Sequence, residues 1–238
     1  MDGEPLLARI AERPGQTALI LDVDGTLAPI VLRPEEAVVP EETRRELRRL
    51  VGRYALVACL SGRSAADARR VVGVEGISYV GEHGLELEPE AEAWAERLAA
   101  FAAQAGWPAA PGKRGTLSFH ARGHPAPAAA EAALRRLAER AARKGLRARL
   151  GRKVLEVRPP LAADKGTAVR RLLAEAGLRR ALYAGDDATD VDAFRGLAGL
   201  DLAVRVAVAS DEAPRELLEA ADVVVLGPEE LGALLRRL

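Results

Sequence analysis

The stretch Thr17–Thr26, with the sequence TALILDVDGT, decides the fold of this chain. Its first half is a short, uninterrupted apolar run, which is typical of a strand buried on both faces of a parallel sheet. The run ends in Asp22 and Asp24, whose side chains point to one side of the strand while Val23 points to the other. In open parallel sheets, ligands bind at this end of the strands. The stretch therefore predicts a buried strand that ends in an acidic pocket.

Further apolar runs extend this strand into a sheet. They predict strands at Tyr54–Leu60, Ala181–Ala184, Leu202–Val208 and Asp222–Leu226. Helical patterns occupy Glu41–Val51, Ser64–Val72, Gly166–Ala176, Asp190–Leu197, Ala213–Ala220 and Glu229–Leu238. Thr189 is predicted to cap the helix that begins near Asp190. Because strands and helices alternate, we predict an α/β fold with a doubly wound, Rossmann-like parallel sheet.

The middle of the chain has a different pattern and predicts an inserted, smaller α/β cap domain. It comprises helices at Ala91–Ala105 and Ala126–Lys144, a strand at Thr116–Ala121, and a hairpin that pairs Leu146–Leu150 with Lys153–Arg158 across Gly151. The aromatic residues Trp94, Phe101 and Trp107 are predicted to form its core. We therefore expect a catalytic core domain from residues 1–86 and 160–238 and a cap domain from residues 87–159.

Composition excludes several classes of protein. The chain has 238 residues, 49% hydrophobic and 29% charged, which is not a disordered composition. Its 35 acidic and 35 basic residues balance, and no basic run stands out, so a nucleic-acid surface is disfavoured. A single cysteine, Cys59, excludes intramolecular disulfides and cysteine-based zinc sites. Without a membrane-length apolar run or a signal peptide, we expect a cytoplasmic monomer with no membrane partner.

Two further polar groups lie at a predicted strand end and a predicted helix start. Ser61 and the following glycine offer a hydroxyl and backbone N–H groups to an anion, although a Ser-Gly pair is more often only a turn. Lys165, one of four lysines in the chain, begins a helix, where the helix dipole disfavours a cation. Its position there indicates attraction to something anionic.

An acidic cluster follows the strand at Ala181–Ala184. Asp186, Asp187 and Asp190 place three carboxylates within five residues, which is repulsive unless a metal ion occupies the cluster. Mg²⁺ takes oxygen ligands and suits such a set. The sequence therefore predicts a bound cation at this cluster, as it does at the pair formed by Asp22 and Asp24.

The order acid pair, serine, lysine and acid cluster resembles the four motifs of the haloacid-dehalogenase superfamily of phosphotransferases. The resemblance spans the chain from Leu21 to Phe194. It implies that Asp22 is the nucleophile and forms an aspartyl-phosphate. It makes Asp24 the general acid for the leaving oxygen and then the base for the attacking water, with Ser61 and Lys165 holding the phosphoryl oxygens. For Mg²⁺ it implies four metal-site residues: Asp22, Asp24 through its carbonyl, Asp186, and Asp190 in support.

Local runs narrow the resemblance to the trehalose-6-phosphate phosphatase family. They are LDVDGTLAPI from Leu21, GEHGLE from Gly81, SFHAR from Ser118, VLEVRP from Val154, and DKG from Asp164 with GDDATDVDAF from Gly185. The family's cap binds glucose hydroxyls through a Gly-Lys-x-Val-x-Glu run, which here carries Arg152 in the usual lysine place and keeps Glu156. In the run from Ser118, Ala121 stands where an aromatic residue is common. The resemblance implies eleven substrate-binding residues: Gly25, Thr26, Gly62, Arg63, Glu82, His83, Gly84, His120, Arg122, Arg152 and Glu156.

Structural roles compete with these assignments in the cap motifs. His120 and Arg122 share one strand face and could form a surface pair. Glu82 and His83 could serve merely to hydrogen-bond a turn. The resemblance also leaves trehalose-phosphate synthase as a candidate partner.

Three functional hypotheses follow. The first is a Mg²⁺-dependent hydrolase that converts trehalose 6-phosphate to trehalose and phosphate. The second is another sugar phosphatase of the superfamily, acting on mannosyl- or glucosyl-phosphoglycerate, sucrose phosphate or a hexose phosphate. The third is a phospho-accepting receiver module, which Asp24 and the insert disfavour because receivers have neither.

Overall fold

The computed structural model describes residues 3–109, 115–121, 125–151 and 153–238. The chain divides into two compact units, one formed by Met1–Gly84 with Ala163–Leu238 and the other by Leu85–Ala162. The sequence-based limits of the insert, 87 and 159, fall just inside the second unit. Among the described residues, no helix is long and apolar enough to cross a membrane.

The first unit is a six-stranded parallel sheet with helices between successive strands. Its strands are β1 Ala18–Leu21, β2 Leu56–Leu60, β3 Ser78–Val80, β7 Arg180–Gly185, β8 Leu202–Ala209 and β9 Val223–Leu226. Its helices are α1 Glu4–Glu12, α2 Glu41–Val51, α3 Ala65–Val72, α6 Lys165–Glu175, α7 Ala188–Gly196, α8 Arg215–Ala220 and α9 Gly227–Arg236. The strand order β3-β2-β1-β7-β8-β9 places β1 in the middle, where all four of its residues are buried. The predicted doubly wound sheet is confirmed.

Helix α1 was not predicted from the sequence. It is nine residues long, only Leu7 and Ile10 are buried, and no side chain caps its first turn. So short a segment with two buried positions does not repeat its apolar spacing often enough to indicate a helix.

The second unit is a three-stranded antiparallel sheet with two helices. It contains α4 Ala91–Ala103, β4 Leu117–His120, α5 Pro127–Arg143, β5 Arg147–Gly151 and β6 Val154–Arg158, with strand order β4-β6-β5. Phe101 of α4 and Phe119 of β4 meet edge to face at 6.3 Å in its apolar core, and Trp94 and Trp107 pack against that core as expected. Lys153, predicted to lie on the strand, is instead in the turn of the hairpin with a φ of 61°.

Candidate active site

The carboxyl ends of three central strands bring the predicted catalytic groups to one edge of the sheet. Leu21 at the end of β1 is level with Cys59 of β2 and with Ala184 of β7. Asp22 therefore emerges between the segments that carry Ser61 and Asp186. The first unit thus gathers the acid pair, the serine and the acid cluster within one site.

Lys165 joins two of the carboxylates. Its ammonium Nζ lies 2.7 Å from Asp22 Oδ1 and 2.7 Å from Asp190 Oδ1, and its side chain is only 2% exposed. Helix α6 begins at Lys165 because Asp164 and Thr167 form a capping box there. Burial opposes the charged ammonium, but the charges of Asp22 and Asp190 outweigh it and raise the pKa of Lys165. The lysine is therefore a fixed, buried cation beside Asp22.

Asp22 is a buried carboxylate in a crowded acidic site. Burial raises the pKa of its carboxyl well above the ordinary value; the Lys165 charge opposes this shift, and the Asp190 and Asp186 charges add to it. Its Oδ1 accepts from Lys165, and Thr26 Oγ1 lies 3.5 Å from its Oδ2. The two oxygens of Asp22 therefore face different partners.

Asp190 is fully occupied by donors from the protein. Its Oδ1 accepts from Lys165 and from the Tyr183 hydroxyl at 2.7 Å. Its Oδ2 accepts from the backbone N–H groups of Asp186 at 2.9 Å and Asp187 at 2.8 Å. A carboxylate with four donors has little capacity left for a metal ion.

Asp186 lies next to the glycine of the first motif. Thr26 Oγ1 donates to Asp186 Oδ1 at 3.1 Å. Gly25 has a φ of 78°, and a Cβ at this position would overlap the Asp186 carboxylate, so only glycine fits. Burial, together with the Asp190 charge, raises the pKa of Asp186 to about 6.

The three carboxylates form a set that suits a hard cation. One carboxylate oxygen from each of Asp22, Asp186 and Asp190 lies within 4.8 Å of the other two, and Lys165 bonds Asp22 and Asp190. Three carboxylates facing one ammonium leave excess negative charge, which a divalent cation would balance. The donors are oxygen atoms, as Mg²⁺ requires.

The Ser61-Gly62-Arg63 segment forms a tight turn at the end of β2. Ser61 is 1% exposed, and its Oγ accepts from the Arg63 N–H at 3.1 Å. A Cβ on Gly62 would come within 2.7 Å of the His83 ring. The turn is therefore closely packed against the segment that follows β3.

Glu82, His83 and Gly84 support that turn from the neighbouring strand end. All three have positive φ values of 51°, 57° and 95°. The Glu82 N–H donates to the Arg63 carbonyl at 2.7 Å, and the His83 N–H donates to the Ser61 carbonyl at 2.9 Å. These bonds give the segment a structural role beside Ser61.

Arg63 uses its guanidinium to hold Asp24. Its Nε and Nη2 each donate to one Asp24 oxygen at 2.7 Å, and Nη1 donates to Asp67 at 2.6 Å. The pKa of the Arg63 guanidinium is raised, mainly because of its hydrogen bonds to Asp24. Such a two-pronged pair fixes the orientation of a carboxylate. Because its three nitrogens already bond carboxylates, Arg63 suits the positioning of Asp24 better than substrate binding.

Two of the predicted cap residues lie on one face of the second unit's sheet. Glu156 of β6 is half-buried and pairs with Ser118 of β4 and Arg149 of β5, while His120 is exposed at the end of β4. Directly opposed residues share a face, and here it is the face opposite the apolar core. Arg122 and Arg152 lie outside the described residues.

Sequence reasoning missed Tyr183 and misplaced a helix cap. Tyr183 is fully buried in β7, and burial together with the Asp190 charge raises the pKa of its hydroxyl well above the ordinary value. A tyrosine in an otherwise aliphatic run was the available signal, because a buried hydroxyl needs a partner. Thr189, expected to cap α7, lies inside that helix, and Asp187 is the N-cap residue.

Comparison with known proteins identifies relatives over most of the chain. The model of the family described as trehalose-phosphatase matches residues 20–106 and 112–219. A trehalose 6-phosphate phosphatase of Zea mays, RA3, is 31% identical over an alignment that covers 99% of this chain and 72% of the maize protein. The trehalose-phosphate phosphatase of Mycobacterium marinum is 35% identical over 79% of this chain and 53% of that protein.

The chain spans only part of some relatives. It covers 16% of a Mycobacterium tuberculosis protein described as an uncharacterized glycosyl hydrolase, at 38% identity over 79% of this chain. It also spans about half the length of the Mycobacterium marinum protein.

Solved structures agree on the fold. Aspergillus fumigatus trehalose-6-phosphate phosphatase is 25% identical, with a TM-score of 0.68 over 99% of this chain and 96% of that chain. A haloacid dehalogenase-like hydrolase from Bacteroides thetaiotaomicron shares the fold at 14% identity, with a TM-score of 0.62 over 93% and 98% of the two chains. With the family model matched across both units, the chain belongs to the trehalose-phosphatase family.

Proposed function

We propose that this protein is a Mg²⁺-dependent phosphatase that hydrolyses trehalose 6-phosphate to trehalose and phosphate. The observation that carries the proposal is the buried pair of Asp22 and Lys165, 2.7 Å apart, beside a second carboxylate at Asp186. Phosphoryl transfer depends mainly on positioning and charge neutralisation, and this arrangement offers both. The names of the relatives support the sugar phosphate.

In the first step, an Asp22 carboxylate oxygen attacks phosphorus and the bond from phosphorus to the sugar oxygen breaks. Lys165 suits the neutralisation of the phosphoryl oxygens because its ammonium is buried and fixed. The Ser61 hydroxyl, at the adjacent strand end, would donate to the same group. The product of this step is an aspartyl-phosphate on Asp22.

Asp24 would act as the general acid in the first step and as the general base in the second. It gives a proton to the departing sugar oxygen and then takes one from the water that attacks the aspartyl-phosphate, which breaks the bond from phosphorus to Asp22. The Arg63 fork supports the role of base in the second step, because it fixes the ionised Asp24 carboxylate in one orientation. To act as the acid in the first step, Asp24 must carry a proton. Arg63 is therefore proposed as a positioning residue.

Asp22, Asp186 and the Asp24 carbonyl are the groups that would hold Mg²⁺. The bound ion would offset negative charge at the phosphoryl group. Asp190 would support the site from behind, because its four donors hold its carboxylate in place without leaving it free as a ligand.

The second unit would supply the recognition of the sugar. Glu156 and His120, on the polar face of its sheet, are the proposed contacts to sugar hydroxyls together with Arg122 and Arg152. Glu82, His83 and Gly84 complete the proposed substrate set, although the backbone bonds from Glu82 and His83 also account for the position of these residues.

The test measures phosphate release with Mg²⁺ from a panel that contains trehalose 6-phosphate, sucrose 6-phosphate, a glucosyl-phosphoglycerate, glucose 6-phosphate and an aryl phosphate. We expect the highest kcat/KM for trehalose 6-phosphate, loss of activity with a chelator, and recovery with Mg²⁺. A higher kcat/KM for another sugar phosphate would identify that compound, and not trehalose 6-phosphate, as the preferred substrate. Full activity after exhaustive chelation would refute the metal requirement.

A further inference from the structure

We propose that Tyr183 is a positioning residue of the phosphatase site, whose hydroxyl keeps Lys165 shared between Asp190 and Asp22. This inference rests on the proposed function for its kinetic consequence, and its geometry stands by itself. Tyr183 lies in β7, the strand that leads into the acidic cluster.

The hydroxyl of Tyr183 bonds a carboxylate of the site. It lies 2.7 Å from Asp190 Oδ1, the same oxygen that accepts from Lys165 Nζ at 2.7 Å. An ionised carboxylate has only acceptors, so the hydroxyl donates. Two donors therefore share one oxygen, and that oxygen binds each of them less strongly than it would bind one alone.

The position of the ring leaves the hydroxyl little freedom. Tyr183 is fully buried, and Phe194 meets its ring edge to face at 6.0 Å and 85°. Phe194 and Asp190 are four residues apart on α7, so one face of that helix contacts both the ring and the hydroxyl of Tyr183. The close approach of Gly185 to Asp190, where a Cβ would overlap the carboxylate, also restricts movement of Asp190.

The consequence falls on Lys165. Its ammonium bonds Asp190 and Asp22 at the same distance of 2.7 Å. Without the tyrosine hydroxyl, Asp190 Oδ1 would have Lys165 as its remaining donor and would attract the ammonium more strongly. Lys165 would then lie less often beside Asp22 and the phosphoryl group it is proposed to neutralise.

The test replaces Tyr183 by phenylalanine, which keeps the ring and removes the hydroxyl. Tyr79→Phe is the matched control, because the Tyr79 hydroxyl also donates at 2.7 Å but to the backbone carbonyl of Val74 and not to the site. We expect Tyr183→Phe to lower kcat about tenfold for trehalose 6-phosphate and for an aryl phosphate alike, with KM within twofold of wild type. Tyr79→Phe should keep both parameters within twofold.

A second readout does not require activity. The chain contains four lysines, so the ¹⁵N signal of the buried Lys165 ammonium can be assigned by its loss in Lys165→Arg. We expect Tyr183→Phe to move this signal and Tyr79→Phe to leave it in place. An unmoved signal in folded Tyr183→Phe, or a kcat within twofold of wild type, would overturn the proposal.

These readouts separate the two proposals. If the wild-type protein released no phosphate from any ester, the proposed function would fail, and the Lys165 signal would still decide the role of Tyr183. If Tyr183→Phe did not fold, Phe194→Leu would replace it, because it keeps the hydroxyl and loosens the ring. It should move the Lys165 signal away from its wild-type position, and no movement would overturn the proposal.

Discussion

The catalytic edge of the first unit and the polar sheet face of the second unit differ in how deeply their polar side chains are buried and in how these side chains bond. Asp22, Lys165 and Asp190 are each at most 5% exposed, and Lys165 bonds both carboxylates directly. Glu156 is half-buried and His120 exposed, and they lie at separate strand positions of the polar sheet face. Groups in the first region depend on one another, whereas groups in the second can change singly.

This difference matches two separate tasks. Every phosphate monoester presents the same phosphoryl group, so the residues proposed to act on it can be fixed and buried. Sugars differ in their hydroxyl groups, so the residues proposed to read them lie where a substitution leaves the fold intact. We therefore expect variants of the first region to affect all substrates, and variants of the second to affect some.

The largest effect is expected at the nucleophile. Asp22→Asn keeps the shape of the side chain and removes the attacking charge, so kcat should fall by roughly 10³-fold or more for every substrate. The measurement is steady-state phosphate release by purified, folded protein. A variant that kept a tenth of wild-type activity would remove Asp22 from this role.

The contrast between the regions is tested most directly by Glu156→Ala beside Lys165→Ala. Glu156→Ala should lower kcat/KM for trehalose 6-phosphate about 10²-fold, the scale of hydrogen bonds donated to a charged group, and leave an aryl phosphate nearly unchanged. Lys165→Ala should damage both substrates, because both carry the phosphoryl group.

Two results would break this contrast. Equal losses on both substrates in Glu156→Ala would make Glu156 structural. No loss on either would mean that the sugar is recognised elsewhere.

A smaller effect is expected at Arg63. Arg63→Lys keeps a positive charge but cannot bond both oxygens of Asp24, so kcat should fall about tenfold with little change in KM. Arg70→Lys is the matched control, because Arg70 bonds Asp67 and is half exposed. A rise in KM for trehalose 6-phosphate alone, with kcat unchanged, would return Arg63 to the predicted role of a substrate contact.

The sequence predicted the strands of the first unit and the polar residues at their ends because apolar runs and acid pairs are local patterns. It did not predict the partners of Arg63 and Tyr183. Arg63 meets Asp24 across 39 positions of the chain, and such pairs depend on how the strands are placed. Tyr183 and Asp190 are seven positions apart, but one lies on a strand and the other on a helix, so no single period links them. The cap of α7 was misassigned because Asp187 and Thr189 are both residues that favour helix starts.

The smallest expected effect concerns stability. The pKa of Asp186 is raised to about 6 from an ordinary value of 3.8, so the folded protein without metal binds this proton more tightly than the unfolded chain does. Stability contributed by the protonated form is therefore complete below about pH 4 and is lost as the pH rises through 6.

Asp186→Asn cannot ionise and still accepts from Thr26, so in a chelator it should raise the free energy of unfolding by about 1–2 kcal/mol at pH 8. The gain should vanish near pH 4, as measured by urea unfolding at both values. Glu156→Gln, on the polar sheet face, should stay within about 0.5 kcal/mol of wild type at pH 8. A destabilised Asp186→Asn protein at pH 8 would show that the carboxylates of the catalytic edge support the fold, and the contrast in stability between the two regions would then fail.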